Sequence, residues 1–233
     1  MTDRAAELRA YHEAEVVGCT RCPLHAGRTQ VVVGNGDPTA ELMLVGEAPG
    51  YHEDRLGVPF VGQAGKLLDR LLAGIGLTRA DVFVANVLKC RPPGNRDPAP
   101  GEIEACESHL FRQISIIRPR LVCTLGNFAT KLLSGRPQGI SRMHGREIRA
   151  RIGDLDVVLY PLFHPAAALY TPSMLSLLEE DFARIPTLLA GAAAPAREDP
   201  RPAPPSPAAA VASEPALSSG RARPAEAEQL GLF

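Results

Sequence analysis

Cys19 and Cys22 form a C-x2-C pair near the start of the chain, and Cys90 and Cys106 follow much later. Thiolates are soft ligands, and four of them complete a tetrahedral zinc site or hold an iron–sulfur cluster. Spacing alone leaves a third reading open, because Cys90 and Cys106 stand far apart. Free cysteines are often small buried apolar residues. Cys123 lies inside the apolar run Arg120-Leu-Val-Cys-Thr-Leu125 and reads as core.

Three other stretches combine chemistry with a turn. Gly46-Glu-Ala-Pro-Gly50 sets two glycines around one acid, and glycines let backbone amides approach a ligand closely. It lacks the Gly-x4-Gly-Lys-Ser/Thr pattern of a phosphate-binding loop. Asn86 carries an amide that reads a donor and an acceptor on a planar ring, or else caps a loop. His164-Pro-Ala-Ala-Ala-Leu-Tyr170 offers a histidine that can neutralise growing negative charge, or serve structurally. Phe60 is one of 7 Phe in a chain with 4 Tyr and no Trp. It is either core or a stacking platform.

The elements that would position these residues alternate. Glu41–Val45, Asp81–Val87, Arg120–Leu125 and Leu155–Phe163 are short apolar runs and read as buried strands. Helical spacing marks Ala64–Ile75, Pro100–Ile117, Phe128–Leu133 and Ser173–Leu189. Repeated βα units predict an α/β fold, a single domain whose mostly parallel central sheet is flanked by helices. Ligand sites of such sheets gather beyond the carboxyl ends of the strands. That is where Gly46–Gly50, Asn86–Arg96 and His164–Tyr170 fall.

The chain has 233 residues, 45% hydrophobic and 22% charged, with a formal net charge of −1. This is a globular composition. The neutral balance means that an anionic partner must meet a local basic patch. No apolar run is long enough to span a bilayer, and no secretory signal is visible, so a cytoplasmic location without membrane association is expected. Disulfides are then not expected. From Ala190 to Glu228, 14 of 39 residues are Ala and 8 are Pro. That stretch buries too little to offset its ordering entropy and is read as a disordered linker. The ordered domain is expected over 1–189, the linker over 190–228 and a separate terminal peptide over 229–233.

Taken in order, these pieces resemble the family-4 uracil-DNA glycosylases, the iron–sulfur type. The resemblance is carried by Cys19-Thr-Arg-Cys22, Gly46-Glu-Ala-Pro-Gly50 with Glu53-Asp54, Pro59-Phe-Val-Gly-Gln-Ala-Gly65, Asn86-Val-Leu-Lys-Cys-Arg-Pro-Pro-Gly-Asn-Arg96, Cys106 and His164-Pro-Ala-Ala-Ala-Leu169. It implies a [4Fe–4S] cluster on Cys19, Cys22, Cys90 and Cys106, and a monomer acting on uracil-containing DNA. A related subgroup links covalently to DNA through a Lys-Arg-Arg-Ile-His insertion, which is absent here, so turnover is expected.

The same resemblance assigns roles. Phe60 stacks on the everted uracil, Asn86 bonds its polar edge, and backbone around Glu47, Ala48 and Pro49 walls the pocket. His164 donates to the uracil carbonyl as charge develops. Ala48 stands where the family-1 loop Gly-Gln-Asp-Pro-Tyr places an acid, so no obvious general base is present. Glu47 either orients the water or fixes Asn86. Glu53 is a candidate for excluding thymine, and Arg91 and Arg96 are candidates for touching phosphates. The end, Gln229-Leu-Gly-Leu-Phe233, resembles the peptide that binds the bacterial sliding clamp, with Gln229, Leu230, Leu232 and Phe233 as its anchors. The competing readings are a non-catalytic metal-containing DNA-binding module and a glycosylase of wider scope, acting on hypoxanthine or xanthine.

Overall fold

The computed structural model describes residues 3–192. Helix α1 (Arg4–Tyr11) is capped by Asp3, whose carboxylate accepts the Ala5 amide at 3.0 Å. Strands β1 (Asn35–Gly36) and β2 (Leu42–Gly46) precede α2 (Tyr51–Leu56) and α3 (Gln63–Gly74). Strand β3 (Phe83–Asn86), α4 (Pro100–Ile117), β4 (Leu121–Leu125) and α5 (Asn127–Ser134) follow. Then come α6 (Ile140–Met143), β5 (Ile148–Ile152), β6 (Leu155–Leu162), α7 (Pro165–Ala168), α8 (Pro172–Ala183) and α9 (Ile185–Gly191).

The sheet runs β1-β3-β2-β4-β6-β5. Its four inner strands are parallel, and β1 and β5 are antiparallel edges. The expected α/β architecture is therefore present. Side chains alternate between two buried layers. Met43 and Val45 face the layer that includes Ile114 of α4, while Leu42 and Leu44 face the one that includes Leu68 and Leu72 of α3. Inner strands buried on both faces read as unbroken apolar runs, which is why they are visible in the sequence.

Three features depart from expectation. The helix predicted over Ser173–Leu189 is two, with Arg184 between them. Pro186 explains the break, since its ring has no N–H and crowds the carbonyl four residues back. The edge strands were not expected. Strand β5 alternates buried Ile148 and Ile152 with exposed Arg149 and Arg151, a period-2 signal masked by its arginines. Helix α9 continues to Gly191, two residues past the expected boundary. The rest of the expected linker and the terminal peptide lie outside the described residues. Among the described residues no helix is long and apolar enough to cross a membrane.

Register brings the chemistry together. Gly46 pairs with Asn86 across β2 and β3, and Leu125 pairs with Leu162 across β4 and β6. Gly46, Asn86 and the residues just after Leu162 thus emerge from one end of the sheet.

Candidate active site and cysteine pocket

Gly46 closes β2. A Cβ there would overlap the Asn86 side-chain oxygen and stand 2.8 Å from Phe60 Cζ. Only glycine lets the amide and the aromatic ring converge at this point. Beyond the strands the pairing continues: the Val87 and Leu88 amides donate to the Gly46 and Glu47 carbonyls at 3.0 and 2.9 Å. This fixes Glu47, Ala48 and Pro49 beside the exit of β3.

Asn86 is 2% exposed, and its side-chain oxygen lies against Gly46. Its backbone is held by Lys89, a fully buried side chain whose Nζ donates to the Asn86 carbonyl at 2.8 Å and to Gln113 Oε1 at 2.6 Å. The sequence reading missed this lysine, although Lys89 stands inside the quoted motif.

Phe60 adopts a left-handed backbone conformation (φ 56°). Such strain persists only where neighbours impose it. Gly65 lies against the Phe60 carbonyl, which accepts from Arg79 Nη2 at 2.9 Å. Glu53 Oε1 takes the amide protons of Val61 and Gly62 at 3.0 and 3.1 Å, at the start of α3. That acid therefore shapes the Phe60 loop, a use different from the thymine-excluding one considered from sequence. The sequence offers no sign of Arg79, and it shows Gly65 only as the end of a motif, without this packing role. Their partners are backbone atoms, which no motif displays.

His164 follows β6 and caps α7, with Nδ1 accepting the Ala166 amide at 3.1 Å. In the neutral ring this places the proton on Nε2. Burial holds the imidazole down to about 4, against a smaller opposing effect of Glu53, so the ring is uncharged at neutral pH. The Phe60 and His164 rings stack with centroids 5.5 Å apart and planes 25° from parallel. Glu47 is half-buried. Burial, helped by the negative charge of Asp97, pushes its carboxyl up to about 7.

Cys19, Cys22, Cys90 and Cys106 line one pocket, and Cys123 lies apart, fully buried in β4. Three of the four sulfurs meet nitrogen donors. Lys89 N–H reaches Cys106 at 3.3 Å, Arg28 reaches Cys90 at 3.4 Å, and His109 Nε2 lies 3.3 Å from Cys19. Tyr11 Oη lies 2.7 Å from His109 Nδ1; in the tautomer with the proton on Nε2, the hydroxyl donates to Nδ1 and Nε2–H faces the sulfur. Among the described residues no three His, Cys, Asp or Glu gather tightly enough for a single metal ion.

The two arginines expected to meet phosphates have local partners. Arg96 forms a two-nitrogen bridge to Glu102 at 2.9 and 2.6 Å, and Arg91 donates to Asn95 at 2.7 Å while lying 5.2 Å over the Tyr51 ring. Glu102 also accepts the Ala99 amide at 2.8 Å, so the bridge closes the start of α4.

Known proteins bear on this arrangement. Residues 33–185 match the Uracil DNA glycosylase superfamily. The chain is 47% identical to a type-4 uracil-DNA glycosylase of Sulfurisphaera tokodaii, over 73% of this chain and 80% of that protein. It is 45% identical to the type-4 uracil-DNA glycosylase of Archaeoglobus fulgidus (73% and 88% covered) and 44% identical to that of Thermotoga maritima (69% and 82% covered). The geometry at the strand ends and this breadth of similarity agree: the chain belongs to the uracil DNA glycosylase superfamily, where it groups with the type-4 proteins.

Proposed function

We propose that the chain is a cytoplasmic DNA-repair enzyme that everts uracil from DNA and hydrolyses its N-glycosidic bond, leaving an abasic site. The observation that carries this reading is the convergence of the buried Asn86 amide and the Phe60 ring on Gly46, at the strand ends that also present His164. A base inside a duplex is stacked and paired, so cleavage at its glycosidic bond requires eversion into a pocket. Phe60 supplies the stacking face. Asn86 matches the donor and acceptor on the uracil edge, and the amino group of cytosine presents the wrong pattern there. Cleavage leaves cationic character on the sugar and negative charge on the base. His164 Nε2–H donates to the carbonyl oxygen that gains this charge. Glu47 orients the attacking water.

Four soft sulfur donors lining one pocket, three of them met by nitrogen donors, fit a [4Fe–4S] cluster, which Cys19, Cys22, Cys90 and Cys106 would hold. When bound, the cluster supplies a structural brace joining the N-terminal segment to the loop after β3 and to α4. The test of function is incubation of the purified, brown holoprotein with oligonucleotides carrying uracil, hypoxanthine or a T·G pair, followed by alkaline cleavage. Strand breaks at uracil support the reading, and intact uracil sites overturn it.

The raised Glu47 carboxyl gives a pH signature. If its ionised form orients the water, single-turnover rates rise with pH through about 7. Glu47→Gln is expected to lower the rate and erase that inflection. Stability moves the other way. Between the ordinary value of 4.5 and about 7 the folded state binds more protons than the unfolded state, so this group's contribution falls as pH rises. Glu47→Gln is therefore expected to raise Tm above about pH 7 and leave it unchanged below 4.5. A pH–rate profile and a pH series of melting curves check both.

The terminal Gln229, Leu230, Leu232 and Phe233 are proposed to engage the sliding clamp. The chain between α9 and Gln229 would tether them. Deletion of Leu232 and Phe233 is expected to abolish retention on clamp-loaded DNA and leave cleavage of short oligonucleotides unchanged. Equal retention rejects the idea.

A further inference from the structure

The chain's net charge is −1, and its expected phosphate contact Arg96 is neutralised by Glu102. A DNA partner therefore needs cationic surface elsewhere. One groove supplies it. Arg136, Arg142 and Arg146 line it together with His144 and Glu147. All three arginines are exposed, and among the described residues none is in an ion pair. The one acid on the groove wall, Glu147, lies 3.5 Å from Arg184, and His144 is held at 2.9 Å by Asp181. Among the described residues the groove's own arginines are left without a counter-charge.

Its position joins it to the site. Asn127, the first residue of α5, accepts the Ile140 amide on its side-chain oxygen at 2.8 Å, tying α6 to the exit of β4. A Cβ on the preceding Gly126 would lie 3.3 Å from His164 Cβ. The Gly145 amide donates to the Pro161 carbonyl of β6 at 2.9 Å, and the His144 ring packs 4.4 Å from that of Phe163, the neighbour of His164. The segment 139–145 thus leans on the same strand ends that carry His164.

We propose that this groove carries the phosphodiester backbone of the strand that flanks the everted nucleotide, with Arg142 and Arg146 each meeting one phosphate and Arg136 extending the track. The proposal rests on reading the pocket as that of a DNA glycosylase. Arginine matches phosphate geometry with its planar fork, and phosphate contacts set orientation and register without reading sequence. Because His144 on the groove wall packs on Phe163, the track would run beside the strand end that carries His164.

The test uses the full chain as holoprotein and an oligonucleotide without uracil, with binding measured across a series of salt concentrations. Each lost phosphate contact lowers the slope of log K against log salt by about 0.9 on duplex DNA. Arg142→Gln with Arg146→Gln is expected to lower it by about 1.8 and to weaken binding at least several-fold at low salt. The comparison pair, Arg149→Gln with Arg151→Gln on β5, removes the same charge from exposed positions outside the groove and is expected to change the slope by less than half as much. A wild-type slope in the groove variant, or an equal fall in the comparison pair, overturns the proposal. The two readings fail separately. A wild-type protein that leaves uracil sites intact while the slope still drops sinks the glycosylase reading alone, and normal cleavage with an unmoved slope sinks the groove alone.

Discussion

His164→Ala is expected to lower the single-turnover rate on uracil-containing DNA by about 10²–10³-fold. A preorganised donor aimed at charge that develops during bond breaking contributes about 3–4 kcal/mol in a water-poor site. The contact strengthens only as the base becomes anionic, so substrate binding should change little. The ring is neutral at working pH, because burial holds it down to about 4. The residue should therefore add no inflection to the rate profile at or above neutral pH. Its second job complicates the alanine variant: Nδ1 caps α7, and losing a cap costs about 0.5–2 kcal/mol of stability. His164→Asn separates the two jobs, since asparagine caps a helix well and its shorter amide cannot occupy the Nε2 position. Melting temperature near wild type with a large rate deficit in His164→Asn supports the assignment. A full rate in either variant refutes it.

What the sequence displays and what it hides divide along physical lines. The inner strands are legible because burial on both faces leaves unbroken apolar runs, and the rule that ligands bind at strand ends then locates Gly46, Asn86 and His164 without coordinates. Pro186 is just as visible, but its force depends on the residues before it being helical, so the break in the last predicted helix was not foreseen. Pairings are hidden for a different reason. Arg96 meets Glu102 only because α4 starts where it does, and Glu53 meets the Val61 and Gly62 amides only because α2 and α3 pack around one loop. Lys89 shows the limit most clearly. In the sequence it is a charged residue beside a cysteine. In the fold it is fully buried, with its side chain on the Asn86 carbonyl and its amide on the Cys106 sulfur. It thereby links the strand end that carries Asn86 to the cysteine pocket.

That link bears on Asn86, where the second large effect is expected. Asn86→Asp replaces an amide that both donates and accepts by a group that, when ionised, only accepts. The imide N–H of uracil keeps a partner, but a uracil carbonyl loses its donor and faces a carboxylate instead. An unpaired polar edge in a buried site costs about 1–3 kcal/mol, and more when the facing group is charged. Repulsion also grows as the departing base becomes anionic, so the penalty falls on the transition state as well as on binding. Together these predict a loss of at least about 10²-fold in kcat/KM on uracil. Cytosine presents an amino donor where uracil presents a carbonyl, and a carboxylate accepts from such a donor. The ratio of uracil to cytosine cleavage should accordingly narrow, even if the absolute rate on cytosine stays low. Asn86→Ala supplies the control: it removes both bonds without adding charge, so it should lose uracil activity without moving the ratio toward cytosine. Gly46 permits this whole comparison, because the space it leaves is what allows residue 86 to reach the ring. Alkaline cleavage of matched uracil- and cytosine-containing strands reads the ratio. An unchanged ratio in Asn86→Asp would place the discriminating contact on another side chain of the pocket.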